Sequence, residues 1–411
     1  MKQLIKPTTR EQIFNGLNLS IPLLMGLFIF LNPFPHTTSV KEICFYSSIF
    51  IIFILACFRK LDFSFQLPLT IPFFLFALWV FIGLFFALDK INSIHDYFTH
   101  LLKYMVFYYI MVNYFHSRER LFYLALIIII SSTVFSIGNI VYFYGILGNS
   151  LSTKLVTNIP EVAVNWVSVI ALPAAVLSFH NIVTKNRIYV KTVSAFCLFF
   201  SFAICILTQA RSAILAMFLA VIVLLFKKKK LMVTCLGIVL FVMMLTPISN
   251  RFTDTNPFIA LRMDIHFITF EIMKDYPVTG IGYGMETYGN KQYIDLEAYQ
   301  KRVPKKYRGS YIHSDPHSIP FSIAVRTGFV GLALFLYLLF ATFKMSFISI
   351  RQEKDDYWGR MLLSAFVALL VVEFFEPLQN HVYEVIYYTL LAMITSVWKL
   401  YNSDRTEGLK S

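Results

Sequence analysis

The apolar residues of this chain run in unbroken blocks rather than in the twofold alternation of strands or the single stripe of a surface helix. About twelve blocks approach the length needed to cross about 30 Å of hydrocarbon at 1.5 Å per residue. They fall near 13–31, 40–58, 67–88, 97–115, 121–144, 161–180, 190–207, 212–226, 231–248, 319–343, 361–376 and 383–400, the eighth and eleventh being short. No strand alternation competes with them, which argues against a membrane β-barrel. The pattern predicts an all-α polytopic membrane protein with about 12 transmembrane helices.

One stretch breaks the rhythm. Between 249 and 318 lies a polar segment of roughly 70 residues, far longer than an ordinary connection. It is not low-complexity. Within LRMDIHFITFEIMKDY (261–276), Leu261, Ile265, Ile268, Ile272 and Met273 recur at helical spacing, so an amphipathic helix is expected. Pro277 and the glycine-rich turn GIGYG (280–284) follow. A second polar helical stretch is expected over about 286–302, and then comes the basic run Lys301, Arg302, Lys305, Lys306 and Arg308. The chain thus divides into helices 1–9 (1–248), a folded loop (249–318), and helices 10–12 with a short tail (319–411).

Composition agrees with this reading. Hydrophobic residues make up 57% and charged residues 14%, against roughly 25% charged in soluble domains. A soluble enzyme, a disordered chain and a disulfide scaffold are all excluded. Cys44, Cys57, Cys197, Cys205 and Cys235 lie in apolar stretches, where packing is their ordinary role. Lys2, Lys6 and Arg10 precede the first block without a small-residue cleavage site after it, so an uncleaved first span is expected.

The net charge of +13 has a topological explanation rather than a nucleic-acid one. With the N-terminus inside, the inner segments carry most of the basic residues, Lys227–Lys230 foremost. The short outer loops carry only Lys41, Lys90, Lys154 and Arg211. An even number of spans returns the C-terminus to the same side, and the 249–318 segment falls outside.

Candidate chemistry collects on that outer side. The segment HSDPHSIPFSIAVRTGFVGL (313–332) joins the loop to the tenth span. His317 follows Pro316 and is expected to open a helix, and Gly328 and Gly331 mark a break before the apolar run resumes. A histidine at the membrane surface has the acidity suited to a general base, although an interfacial polar residue is the plainer reading. A zinc pair of His313 and His317 with Asp315 is disfavoured, because Pro316 interrupts helical i,i+4 geometry and no third ligand is in view.

Arg211 lies in TQARSAILAM between two apolar runs, where a guanidinium needs a partner: a lipid phosphate or a substrate pyrophosphate. Arg262 opens the amphipathic helix, with His266 one turn later on the same face. Guanidinium forks bind phosphoryl oxygens bidentately, so two arginines make a good pyrophosphate clamp. Lys103 sits in the fourth span and either snorkels to the surface or serves the same anion. Glu373 and Glu376 near the end of span eleven, with His381 beyond, either pair with these arginines or cap a loop. There is no P-loop and no dinucleotide fingerprint. GIGYG follows a helix rather than a strand. No Asp-x-Asp motif occupies the first outer loop, and Asp355 and Asp356 fall on the inner side, so a metal-dependent reaction is not supported.

These residues together resemble the O-antigen ligase family, related to Wzy-type O-antigen polymerases. TQARSAILA around Arg211, Arg262 at the head of the loop helix, YPVTGIGYG (276–284) with Gly282, and the run from Asp315 to Leu332 carry the resemblance, which is specific mainly over 205–335. It implies a GT-C-like periplasmic glycosyltransferase of the bacterial inner membrane, inverting, independent of metal and nucleotide, with no cofactor. The implied donor is glycan on undecaprenyl pyrophosphate and the acceptor is lipid A–core. The resemblance implies His317 as general base and Arg211 and Arg262 as pyrophosphate ligands. Beside them Lys103 is expected to assist in binding the pyrophosphate, with His313, Gly282 and Glu376 in support. Ser318 stands where the family commonly has Asn, and Pro320 falls in the first turn of the signature helix, where it is tolerated.

Two other readings stay in view. A polymerase differs only in its acceptor, a second lipid-linked unit. A transporter or flippase would suit twelve spans, but no half-to-half repeat is visible and the polar residues cluster at one surface rather than at mid-membrane.

Overall fold

The computed structural model describes residues 9–156, 164–184, 187–245, 258–309, 312–352, 357–375 and 381–408. Every described regular element is a helix. The order is α1 (Thr9–Leu31), α2 (Thr38–Cys57), α3 (Thr70–Gly83), α4 (Lys90–Asp96), a π-helical segment (Tyr97–Leu102), α5 (Lys103–Tyr114), α6 (Arg118–Ile140) with a π-helical end (Val141–Ile146), α7 (Val164–Val183), α8 (Ile188–Leu207), α9 (Arg211–Leu225) and α10 (Lys229–Leu245). Then come α11 (Phe258–Asp275), α12 (Leu296–Arg302), a 3-10 turn (Lys305–Tyr307), α13 (Ile319–Gln352), α14 (Trp358–Glu373) and α15 (His381–Gly408).

Each expected apolar block contains a helix. Among the described residues five are long and apolar enough to cross a membrane: Arg10–Leu31, Thr38–Cys57, Arg118–Ile146, Ile188–Leu207 and Ile319–Gln352. Thr70–Gly83, Val167–Val183 and Arg211–Leu225 are apolar but shorter. The protein is therefore a multi-pass membrane protein. Phenylalanines 50, 53, 74, 85, 199 and 340 stand exposed on its outer wall, as lipid contact requires.

The bundle is built by close pairs: α7 on α8, α14 on α9 and α7, α1 on α2, α15 on α5, and α13 on α3 and α15. Helix ends expected on the inner side do meet one another. Lys228 lies 4.8 Å over the Tyr357 ring, with Arg360 4.6 Å from the same ring. Arg10 lies 5.5 Å over Phe58, which joins the α1 and α2 ends expected inside.

Two expectations are corrected. The apolar pattern extends the third block over 67–88, but its helix ends at Gly83. The residues beyond it tether the loop instead, with the Leu88 amide donating to the Ile281 carbonyl at 3.0 Å. The second loop helix, expected over 286–302, is only Leu296–Arg302. Ahead of it the Asn290 carbonyl accepts both the Tyr293 and Ile294 amides in a turn, and the Asp295 carboxylate caps the helix through the Glu297 and Ala298 amides.

The amphipathic reading of 261–276 is borne out where its side chains are described. Ile265, Ile268, Ile272 and Met273 are all buried; the Leu261 side chain lies outside the described residues. Ile268, Ile272 and Met273 form a second core with Ile281, Tyr288, Ile294, Tyr299, Ala324 and Val325. The 258–309 segment therefore packs on the first turns of α13 as a cap with an interior of its own.

The break foreseen at Gly328 locks that cap to the bundle. Gly328 has φ 72° and ψ −179°, a conformation open essentially to glycine alone. The helical ladder is interrupted there, and the freed backbone groups find partners in the turn after α11. Val325 and Arg326 carbonyls accept the Ile281 and Gly282 amides at 2.9 and 3.2 Å, and the Phe329 amide donates to Pro277 at 2.8 Å. The Thr327 carbonyl accepts from the Trp79 indole on α3 at 2.8 Å. A broken helix in a membrane protein must have its polar backbone satisfied, and here a glycine-rich loop and one tryptophan do so. Gly282 (φ 112°) has no room for a side chain, since a Cβ would sit 2.6 Å from that of Ala87.

Candidate active site

His317 stands just before α13. The sequence pattern has it opening the helix, but the helix begins at Ile319. The reason is local: the Asp315 carboxylate accepts the His317 amide at 2.8 Å, and His317 takes a left-handed φ of 47°. A β-carbon-bearing residue in that region is strained and needs its surroundings to hold it. Buried Pro316 and Ser318 flank it, and the Ser318 carbonyl accepts the Ser322 amide at 2.7 Å to begin the helix. The imidazole is thereby presented at a helix mouth, half-buried. His313 packs edge-on against it, ring centroids 5.0 Å apart.

Helix α11 reaches the same place. The His266 ring stacks on Phe321, in the first turn of α13, at 4.7 Å. Arg262 is one helical turn before His266; its side chain lies outside the described residues. Arg211 belongs to another wall. It is the first residue of α9, after a left-handed Gln209 (φ 50°) whose amide group donates to the Ser152 carbonyl at 3.2 Å. This break between α8 and α9 sets Arg211 half-buried at a helix N-terminus, where anions are favoured.

Lys103 begins α5 and is paired with Glu42 on α2, with the rings of Phe45 and Tyr104 at 5.7 and 5.6 Å. Beside it His100 bonds Glu384 of α15 at 2.7 Å. Glu376 lies outside the described residues.

The residue that sequence reading passed over is Arg326. Its side chain is only 2% exposed, deep in the cap–bundle junction. One nitrogen donates to the Met285 carbonyl at 3.3 Å, while Nε and Nη1 have no hydrogen-bond partner among the described residues. Its charge acts on Asp315, Asp96 and Glu384. Asp96 accepts the Met285 amide at 2.7 Å, and Ser93 and Asn92 accept the Gly284 and Glu286 amides at 3.2 and 3.1 Å. Arg326 thus holds the glycine-rich turn through the Met285 carbonyl, on the side opposite the Asp96 carboxylate that accepts the Met285 amide. The signal for it was present: one arginine inside IPFSIAVRTGFVGL, where an unpaired charge is costly.

Farther out, Asp275 at the end of α11 accepts from Arg302 at 2.7 Å and from the Tyr299 hydroxyl at 2.8 Å. These two hydrogen bonds hold its carboxyl below the usual carboxylate range, and burial raises the Tyr299 phenol. Tyr288, inside the cap and bonded to Thr269 at 2.9 Å, is raised by burial as well.

Fold and site together define a class: a membrane protein, helical in all its described elements, whose capped bundle end presents a strained histidine between α13, which carries Arg326, and α11, which carries Arg262. The sequence relationship is consistent with that class. Residues 196–336, which contain Arg211, Arg262, Gly282, His313 and His317, match the family described as O-antigen ligase. The family covers ligases and polymerases, membrane enzymes of glycosyltransferase type acting on lipid-linked glycan. No curated protein matches the chain.

Proposed function

We propose that the protein is an O-antigen ligase of the inner membrane, with about twelve spans in a GT-C-like arrangement and its active site facing the periplasm. It transfers glycan from undecaprenyl pyrophosphate to a sugar hydroxyl of lipid A–core. The observation that carries this reading is His317, held in a left-handed turn by Asp315 inside the family-matched segment.

The chemistry follows from the groups present. The acceptor hydroxyl attacks the anomeric carbon of the donor sugar, and the bond from that carbon to the pyrophosphate oxygen breaks. His317 takes the hydroxyl proton as the new glycosidic bond forms. A single displacement inverts the anomeric configuration. Negative charge grows on the departing undecaprenyl pyrophosphate, and Arg211 and Arg262 meet it with bidentate guanidinium forks, stabilising the transition state more than the ground state. The activated donor supplies the driving force, and no metal or nucleotide is assigned to the step. Lys103 supports the same anionic end, and His313 and Gly282 support the shape of the site.

The test is a deletion strain. A ligase predicts polymerised glycan accumulating on undecaprenyl pyrophosphate while the core stays bare. A core capped by a single unit would assign the polymerase reaction instead.

A further inference from the structure

A second cluster lies apart from the His313–His317 turn, where the first turn of α15 crosses the π-helical segment before α5. The His100 and His381 rings stack with centroids 4.3 Å apart and planes 12° apart. Both Nδ1 atoms face the same oxygen of Glu384, at 2.7 and 3.8 Å. His381 and Glu384 are one turn apart on one helix face. One donor atom from each of the three residues falls within 4.8 Å of the others. The Tyr104 hydroxyl sits 3.0 Å from His381 Nδ1.

An ion pair of His100 and Glu384 needs only one imidazole. Here a second imidazole is aimed at the same carboxylate, as a shared ligand would require. The side chains of His100 and Glu384 are 6% and 3% exposed while that of His381 is 49% exposed, so two ligands are buried and the third opens to the outside. Glu373, nearby on α14, is fully buried, and neither of its carboxyl oxygens has a hydrogen-bond partner among the described residues. Lys103 and Lys41 face the cluster from α5 and α2, but the Lys103 charge is matched by Glu42.

We propose that His100, His381 and Glu384 bind a divalent transition-metal ion of the zinc class. Two imidazole nitrogens and one carboxylate oxygen suit such an ion and not calcium or magnesium, which take oxygen ligands. Ligands at about 2.1 Å around a tetrahedral ion lie about 3.4 Å from one another. The His100–Glu384 contact must open and the His381–Glu384 contact close by less than about 1 Å each, and the exposed His381 ring must turn out of the stack so that the in-plane lone pairs of both imidazoles meet at the ion. The ion joins α15 to the π-helical segment whose neighbour Asp96 holds the Met285 amide, so it acts as a clamp on the cap and takes no part in proton transfer at His317.

The full-length protein, purified in detergent and stripped with a chelator, is titrated with Co(II). Wild type should bind one equivalent with the visible absorption of a nitrogen/oxygen site, displaced by Zn(II). His381→Ala and Glu384→Gln should each weaken binding by at least about tenfold. X-ray absorption of the zinc-loaded wild type should show two imidazoles and oxygen at about 2.0–2.1 Å, and this needs no variant. Failure of wild type to bind Co(II), binding unchanged in both variants, or a zinc shell without two imidazoles would each overturn the assignment.

Discussion

Gly328→Ala should unlatch the cap from the bundle. Three separable penalties follow from the geometry at this residue. An L-residue at φ 72°, ψ −179° carries about 1–3 kcal/mol of backbone strain. Its Cβ would overlap the Val278 carbonyl, so the turn after α11 must move away. That movement weakens the Phe329–Pro277 and Gly282–Arg326 backbone bonds, at about 0.5–1.5 kcal/mol each. The total is about 2–6 kcal/mol. Gly138→Ala is the control: it lies within α6, and an added methyl group would meet nothing within 4 Å, so it should be neutral or stabilising by about 0.5–1 kcal/mol. The assay is the thermal unfolding midpoint in detergent, paired with limited proteolysis of the cap. Equal midpoints and equal cleavage for the two variants would refute the latch.

Further outcomes follow from the same geometry. Arg326→Met should cost about 1.5–3 kcal/mol in unfolding experiments, because the Met285 carbonyl loses its guanidinium donor, and Arg326→Lys should restore part of it. Arg211→Lys and Arg262→Lys should raise the KM for the lipid-linked donor by about tenfold or more, since an ammonium cannot replace the guanidinium fork; an unchanged KM would remove them from donor binding. Asp275 titrates below its unfolded value, so the stability it adds is present above the ordinary carboxylate range and is lost as pH falls through its lowered folded value. Asp275→Asn should therefore flatten the acid limb of the unfolding midpoint against pH, and an unaltered limb would show that this contact adds nothing.

Much of the architecture was legible because lipid demands long apolar runs, and each predicted run contains a helix. The buried face of α11 was readable from Ile265, Ile268, Ile272 and Met273, whose spacing is a property of one helix. The break at Gly328 was readable because glycine in a helical pattern marks a departure from it. Long-range pairing was not. His100 and Glu384 are separated by most of the chain, and only the fold makes them neighbours. Arg326 was visible as a charge in an apolar run, yet its partner, the Met285 carbonyl, lies 41 residues earlier and reaches it only through the fold of the cap. The place of His317 outside the helix was missed because the Asp315 cap and the left-handed turn override the helix-start signal of Pro316.

Transfer by the purified protein in lipid, with undecaprenyl-pyrophosphate-linked glycan and lipid A–core, measures the central claim most directly. His317→Ala should lower the rate by about 10²–10⁴-fold, as loss of a general base does, while its unfolding midpoint and donor binding stay near those of wild type. A folded His317→Ala protein that turns over at the wild-type rate would contradict the account.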